Sequence, residues 1–172
     1  MEIIKKYALA ITAFLFLAIL ISPFIKKTAW PDHGVLAVSG EGLHSLSLTP
    51  EQLSAMPRVN IQVERRDGTN TRFEGIPLIG ILKEAGLAIG EDLRGKGLTR
   101  FVQVTGEDGY QVVFSLPELD PGFSEGSVIL ADVENGKPLS EGDGPYRLVV
   151  PGEKRQARWV KGVVRIQVVD GR

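Results

Sequence analysis

The chain has 172 residues, of which 43% are hydrophobic and 24% charged, so it has the length and composition of one ordinary globular domain. Its formal net charge is −1, and after the first 27 residues 16 basic residues stand against 20 acidic ones, which argues against a nucleic-acid binder. It contains no cysteine, which excludes disulfides, a thiolate nucleophile and thiolate metal ligands.

Residues 7–25 form an uncharged, mostly apolar run with two lysines on each side. As a helix it would extend about 28 Å, close to the thickness of the hydrocarbon core of a bilayer. A cleaved signal peptide ends in a small-x-small site, and the nearest candidate, after Ala29, places Lys27 at the −3 position. We therefore predict an uncleaved membrane anchor at residues 1–27, with a cleaved signal segment as the alternative.

The lysines on the two sides of the run balance, so the positive-inside rule does not set its orientation. We expect the domain on the extracytoplasmic, periplasmic side, because a short amino tail before a first apolar helix is the usual export arrangement. If the segment were cleaved, the protein would be secreted. The predicted organisation is an anchor at 1–27, a linker at 28–34 and one domain at 35–172.

The domain begins with two short predicted strands at residues 35–38 and 43–48. A short helix follows, because Thr49 is placed to cap it, Pro50 suits its first turn and Gln52 completes a capping box.

Apolar residues then alternate with polar ones over residues 59–63, the period of a half-buried strand. Asp67-Gly68 predicts a turn that returns residues 71–73 as a hairpin arm. The strongest helix signal covers residues 77–85, with Gly86 as its stop. Its apolar face consists of Leu78, Ile81, Leu82 and Ala85, at helical spacing.

Strands dominate the rest of the chain. They are predicted at residues 99–105, 110–115, 128–133, 146–150 and 159–169. Many short strands with two or three short helices predict an α+β domain rather than a doubly wound one.

Charge is unevenly distributed along the second half of the chain. Residues 105–144 contain nine acids and one base, whereas the next stretch is basic and holds a single acid, Glu153. Its cations are Arg147, Lys154, Arg155, Arg158, Lys161 and Arg165. Cations on strands beside the Pro151-Gly152 turn suit a phosphate or another anion. The alternative is an edge hairpin whose cations point into solvent.

No catalytic constellation is recognisable. Residues 90–97 nearly match the phosphate loop, but Gly97 replaces its magnesium-binding hydroxyl and a strand follows where a helix is needed. Glu107 and Asp108 are adjacent in a turn and point apart. There is no serine elbow and no histidine at zinc-ligand spacing. The catalytic residues are therefore unknown, and no metal site is predicted.

Five segments carry a resemblance to a known family. They are residues 73–78 with 81–86, Asp108-Gly109-Tyr110, Ala131 with 135–139, 144–152, and 158–161. In this order they resemble the oxidoreductase molybdopterin-binding domain, the fold of sulfite oxidase and its bacterial relatives. The resemblance covers roughly residues 35–169 and implies the α+β fold of that family.

The resemblance also implies a cofactor, a pterin that carries molybdenum. In the family a cysteine thiolate is the protein ligand to the metal, in a region that corresponds to about residues 61–67. This chain has Glu64, Arg65 and Arg66 there and no cysteine. It therefore lacks the family's direct bond to the metal, and Glu64 is the candidate oxygen ligand in its place.

The resemblance places Arg147 and Lys161 near the pterin or its phosphate, with Arg158 and Trp159 as neighbours. These four are the predicted cofactor-binding residues. Two functions stay open: a membrane-anchored, extracytoplasmic molybdopterin-binding oxidoreductase-like protein without the usual thiolate, or a non-catalytic module that kept the fold and binds a small anion or a redox partner protein.

Overall fold

The computed structural model describes residues 34–65 and 67–171. The predicted membrane anchor and nearly all of the predicted linker lie outside these ranges. Among the described residues, no helix is both long enough and apolar enough to cross a membrane.

Ten strands and three short α-helices are formed by the described residues, which confirms the predicted α+β class. The strands are β1 Leu36–Gly40, β2 Leu46–Leu48, β3 Val59–Glu64, β4 Asn70–Pro77, β5 Phe101–Gly106, β6 Gln111–Ser115, β7 Ile129–Glu134, β8 Lys137–Pro138, β9 Arg147–Val149 and β10 Val163–Val169. The helices are α1 Pro50–Ser54, α2 Leu78–Glu84 and α3 Leu116–Leu119. Short 3₁₀ helices occur at Gly90–Asp92, Gly95–Thr99 and Gln156–Arg158.

The strands form two sheets. The first has the order β2-β1-β10-β5-β6, with β1 and β10 parallel and the other pairs antiparallel. In the second, β3 pairs β4 and β4 pairs β7, while β8 and β9 both pair β7. A bulge follows Glu74, and a Cβ on Gly75 would lie 2.2 Å from the Leu130 carbonyl oxygen, so only glycine allows β4 and β7 to approach here.

Local signals explain the elements that the sequence predicted well. Thr49 accepts a hydrogen bond from the Gln52 amide at 3.4 Å, and the Gln52 side chain accepts one from the Thr49 amide at 2.9 Å, which confirms the capping box of α1. The predicted hairpin is also present, since Ile61 pairs with Phe73 and Val63 with Thr71.

Helix α2 presents its apolar face to the core, as its spacing predicts. The four residues of that face are fully buried: Leu78, Ile81, Leu82 and Ala85. The helix ends before Gly86, whose φ of 90° belongs to the left-handed region that glycine adopts without strain.

The last two strands depart from the prediction. β9 belongs to the second sheet and β10 to the first, so an edge hairpin between them is wrong. The closing strand begins at Val163 rather than at Trp159. Trp159 and Val160 are both buried, and neighbouring residues of a regular strand point to opposite faces, so these two reach one core only outside a strand.

Residues 150–162 therefore cross from one sheet to the other, and we call them the crossing segment. The Leu148 amide donates a hydrogen bond to the Val160 carbonyl oxygen at 2.8 Å, and the Val163 amide donates one to Tyr146 at 2.9 Å. The cations of the basic stretch are thus carried mainly by a crossing, irregular segment rather than by a hairpin.

A Leu82→Ala substitution tests the packing of α2. We expect the free energy of unfolding to fall by about 2–5 kcal/mol, because a fully enclosed leucine loses its transfer energy and leaves a cavity. The matched control is Leu98→Ala, at a position that is 42% exposed, where we expect a change within about 0.5 kcal/mol. Urea unfolding of both variants provides the comparison, and equal midpoints would contradict the observed orientation of the helix.

Candidate functional site

A cleft of about 840 Å³ opens between the end of β3 and the crossing segment. We call it the β3 cleft; its walls are Gln62–Arg65 on one side and Val150–Gln156 with Trp159 on the other. Its volume is within the usual range of small-molecule and cofactor sites. It joins residues 62–65, within the region that the resemblance pairs with the family's metal ligand, to the Pro151-Gly152 turn, two places that the sequence analysis singled out separately.

Trp159 lies at the inner wall of this cleft and is mostly a core residue. Only 6% of it is exposed, and its indole Nε1 donates a hydrogen bond to the Val150 carbonyl oxygen at 3.1 Å. Its ring meets Phe73 edge-on, with the ring centroids 5.7 Å apart. Trp159 therefore offers the cleft an apolar wall in a fixed orientation.

Arg147 lies behind this wall and does not line the cleft. It is 7% exposed, and its guanidinium carbon is 5.4 Å from the centre of the Trp159 ring. One terminal nitrogen is 3.2 Å from the Asp143 carboxylate. The buried charge is thus balanced by an acid and by an aromatic face, as buried cations require.

Lys161 binds the same carboxylate, with its Nζ 2.7 Å from Asp143 Oδ1. Burial by itself raises the pKa of the Asp143 carboxyl, but the hydrogen bond from Lys161 and the charges of Arg147 and Lys161 outweigh it and hold that pKa below its ordinary value. Asp143 thus brings two of the predicted site cations together and neutralises part of their charge.

Arg158 fastens the crossing segment to the edge of the first sheet. Its guanidinium pairs with Glu153 and, at 2.8 Å, with Glu118, and it lies 4.4 Å from the centre of the Phe114 ring. Burial lowers the pKa of Arg158, and the two carboxylates outweigh that effect and raise it. The Tyr110 hydroxyl donates a hydrogen bond to the Ala157 carbonyl oxygen at 2.7 Å and holds the same segment.

Two further cations of the basic stretch line the cleft directly. Lys154 and Arg155 are exposed on its wall, and neither makes an ion pair within the described part of the chain. The third cation of the lining, Arg65, pairs with Glu134 and donates a hydrogen bond to Thr71 at 2.8 Å. Lys154 and Arg155 are therefore the cations most available to a ligand, although the sequence analysis did not include them among the four predicted cofactor-binding residues.

After Lys154 and Arg155, which make no ion pair within the described residues, Glu153 is a second indication that the β3 cleft binds a ligand. One of its carboxylate oxygens binds Arg158, while the other, Oε2, is buried with no hydrogen-bond partner in the described residues. Buried polar atoms in native proteins are normally paired. Glu153, Lys154 and Arg155 follow one another on the cleft wall, and a carboxylate beside two cations suits a ligand that carries both an anionic group and N–H donors.

The lining does not suit a metal ion. The chain has no thiolate, and no group of three or more histidine or acidic side chains in residues 34–65 and 67–171 is placed to hold one. Glu64 lies on the lining, but without two companions it makes no ligand set. The residues present fit an organic anion with polar edges, and they do not fit a metal held by the protein.

The comparisons with known proteins agree with this fold. The family model described as the oxidoreductase molybdopterin binding domain matches residues 24–172. Among solved structures, the crystal structure of the sulfane dehydrogenase SoxCD from Paracoccus pantotrophus is similar, with a TM-score of 0.63 and 25% sequence identity. The likeness covers 79% of this chain and 38% of that chain, so this chain spans well under half of its length. No curated protein matches the sequence significantly.

An Asp143→Asn substitution tests the paired cations Arg147 and Lys161. At about pH 7 we expect the free energy of unfolding to fall by about 1–3 kcal/mol, because the buried Arg147 charge loses its counter-charge. The pKa of Asp143 is lowered in the folded state, so its stabilisation is complete above the ordinary value of about 3.9 and is lost as the pH falls through the lowered value.

The difference between wild type and variant should therefore shrink below about pH 4, which urea unfolding at neutral and acid pH measures. Asp92→Asn is the control, because Asp92 and its partner Arg94 are both exposed and 4.0 Å apart. A difference that stays constant with pH would show that the carboxylate charge is not what stabilises this cluster.

Proposed function

The chain belongs to the oxidoreductase molybdopterin-binding domain family, and from that premise we propose that the β3 cleft binds the anionic part of a molybdopterin-type cofactor without a protein thiolate on its metal. The observation that carries the proposal is the pair of unneutralised cations, Lys154 and Arg155, on the wall of a cleft of cofactor size. When bound, such a cofactor supplies the molybdenum centre at which oxidation or reduction takes place.

The chain's own residues have three roles in this proposal. Lys154 and Arg155 attract and hold the phosphate, Trp159 gives an apolar wall, and the carboxylate of Glu153 is the acceptor on that wall for the pterin's N–H groups. Arg158 positions the segment that carries these groups, because it joins Glu153 to Glu118. The prediction that Arg147, Arg158 and Lys161 themselves contact the cofactor remains a prediction, and a ligand would compete there with Asp143 and Glu118.

A second candidate is a non-catalytic module that kept the fold and binds a small anion or a redox partner protein. The observation that favours it is the missing thiolate, since the chain has no cysteine to bond a metal. The sequence analysis named Glu64 as a candidate oxygen ligand for the first function, whereas the second function needs no ligand at that position.

The decisive test is the cofactor content of the full chain, purified in detergent from a host that makes molybdenum cofactor. We expect pterin, measured by fluorescence after oxidation, to copurify, and a Lys154→Glu/Arg155→Glu variant to retain about tenfold less of it. The matched control is Arg94→Glu/Lys96→Glu, which reverses two exposed cations outside the cleft.

Mass spectrometry of molybdenum separates the remaining outcomes. Pterin with stoichiometric metal that is lost in Glu64→Gln supports an oxygen ligand. Pterin without metal supports binding without redox chemistry. A folded protein with neither contradicts cofactor binding and leaves the non-catalytic module as the working account.

We further propose that residues 7–25 anchor the protein in a membrane with the domain on the extracytoplasmic side. Support comes from the uncharged run itself, which the described residues do not include. Protease added to spheroplasts should digest the domain, and a cytoplasmic marker protein should stay intact as the control. A domain that stays protected until the membrane is dissolved would reverse the proposed orientation, and a domain found in the medium would indicate a cleaved signal.

A further inference from the structure

A second concave surface lies outside the β3 cleft and shares no residue with it. Two adjoining hollows of about 610 and 470 Å³ have Pro50, Leu139, Pro145 and Tyr146 in common. We call them together the tyrosine groove. Its floor is mostly apolar and is built from the start of α1 and from the loop that leads into β9.

The rim of the tyrosine groove carries one sign of charge. Glu51 and Asp132 border the larger hollow, Glu107 and Glu141 border the smaller, and no lysine or arginine of the described residues lines either. Asp132 is paired with Arg58. The other three acids are exposed and make no ion pair within the described part of the chain, so their field is free to attract a cation.

Tyr146 is an independent indication that the groove binds a ligand. Its side chain is only 5% exposed and lines both hollows, yet its hydroxyl has no hydrogen-bond partner in the described part of the chain. Glu51, Asp132 and Tyr146 all line the larger hollow, where burial and then the charges of Asp132 and Glu51 raise the pKa of Tyr146. The hydroxyl is therefore available from the groove, where it can donate a hydrogen bond to a ligand or accept one from it.

The chemistry of the groove selects a lysine or arginine side chain. An aliphatic stem suits Pro50, Leu139 and Pro145, and a cationic head suits the acid rim and the tyrosine hydroxyl. A bare metal ion suits it poorly, because no three acidic or histidine side chains in residues 34–65 and 67–171 are placed to hold one.

We propose that the tyrosine groove is a docking site for an extended, basic segment of a partner protein, with a lysine or arginine side chain lying between Pro50 and Pro145 and its charge beside Glu51. The site is separate from the β3 cleft. It therefore goes beyond the proposed cofactor binding, and the two proposals fail independently.

The test uses the full chain in detergent micelles and two labelled peptides of equal length, one in which lysine alternates with alanine and one in which glutamate does. Fluorescence anisotropy should show binding of the lysine peptide alone, weakening from low to physiological ionic strength. A Glu51→Lys/Glu141→Lys variant should bind it about tenfold more weakly, since two rim charges are reversed. Tyr146→Phe should weaken it by a smaller factor, because only the hydroxyl is removed.

Two control variants test whether the loss of peptide binding is specific to the tyrosine groove. Glu91→Lys/Glu125→Lys reverses two exposed acids outside the groove, and Lys154→Glu/Arg155→Glu alters the β3 cleft; neither should weaken binding. Equal loss in Glu91→Lys/Glu125→Lys would show that the peptide follows net charge, and equal binding of the glutamate peptide would show nonspecific adsorption. Either result, or no binding at low ionic strength, overturns the proposal.

Discussion

The burial of Trp159 is the interaction on which the rest of the site depends. Its indole lies edge-on to Phe73 of β4, donates a hydrogen bond to Val150 and supports the guanidinium of Arg147 on its face. Because a ring of this size must stay enclosed to contribute its apolar area, the crossing segment cannot leave the core without exposing it. One wall of the β3 cleft is therefore rigid, and a site on rigid support can hold a ligand in one orientation.

The same packing separates the cations into two groups. Arg147, Arg158 and Lys161 pair with Asp143, Glu118 and Glu153, so carboxylates of the domain itself neutralise much of their charge. Lys154 and Arg155 remain on the cleft wall, where solvent or a ligand reaches them. The lining of the β3 cleft contains both cations and acids, whereas the described charged residues that line the tyrosine groove are all acids. The two concavities therefore differ in the charge of the ligands that they favour.

Features with a local physical cause were predictable. The capping box at Thr49, the apolar stripe of α2 and the β3–β4 hairpin each follow from neighbouring residues, and all three are confirmed. The pairing of β9 with β7 was not predictable, because strand partners distant in sequence leave no local signal. Glu118 was missed as a partner of Arg158 for the same reason, since 40 residues separate them. Asp143 had a weak signal, standing just outside the basic stretch.

By itself, the sequence determined the α+β class, the short helices, the family and the absence of a thiolate, because these depend on residue type, on spacing or on ordered motifs. Within the described residues, only the tertiary structure decided which cations line the cleft without an ion pair and which are neutralised. Ion pairs form between side chains that the fold brings within a few ångströms, and burial at Trp159 and Tyr146 depends on every element around them. The pattern of charges along the sequence predicts that the chain binds an anion, and the packing of the chain determines which of its cations an anion can reach.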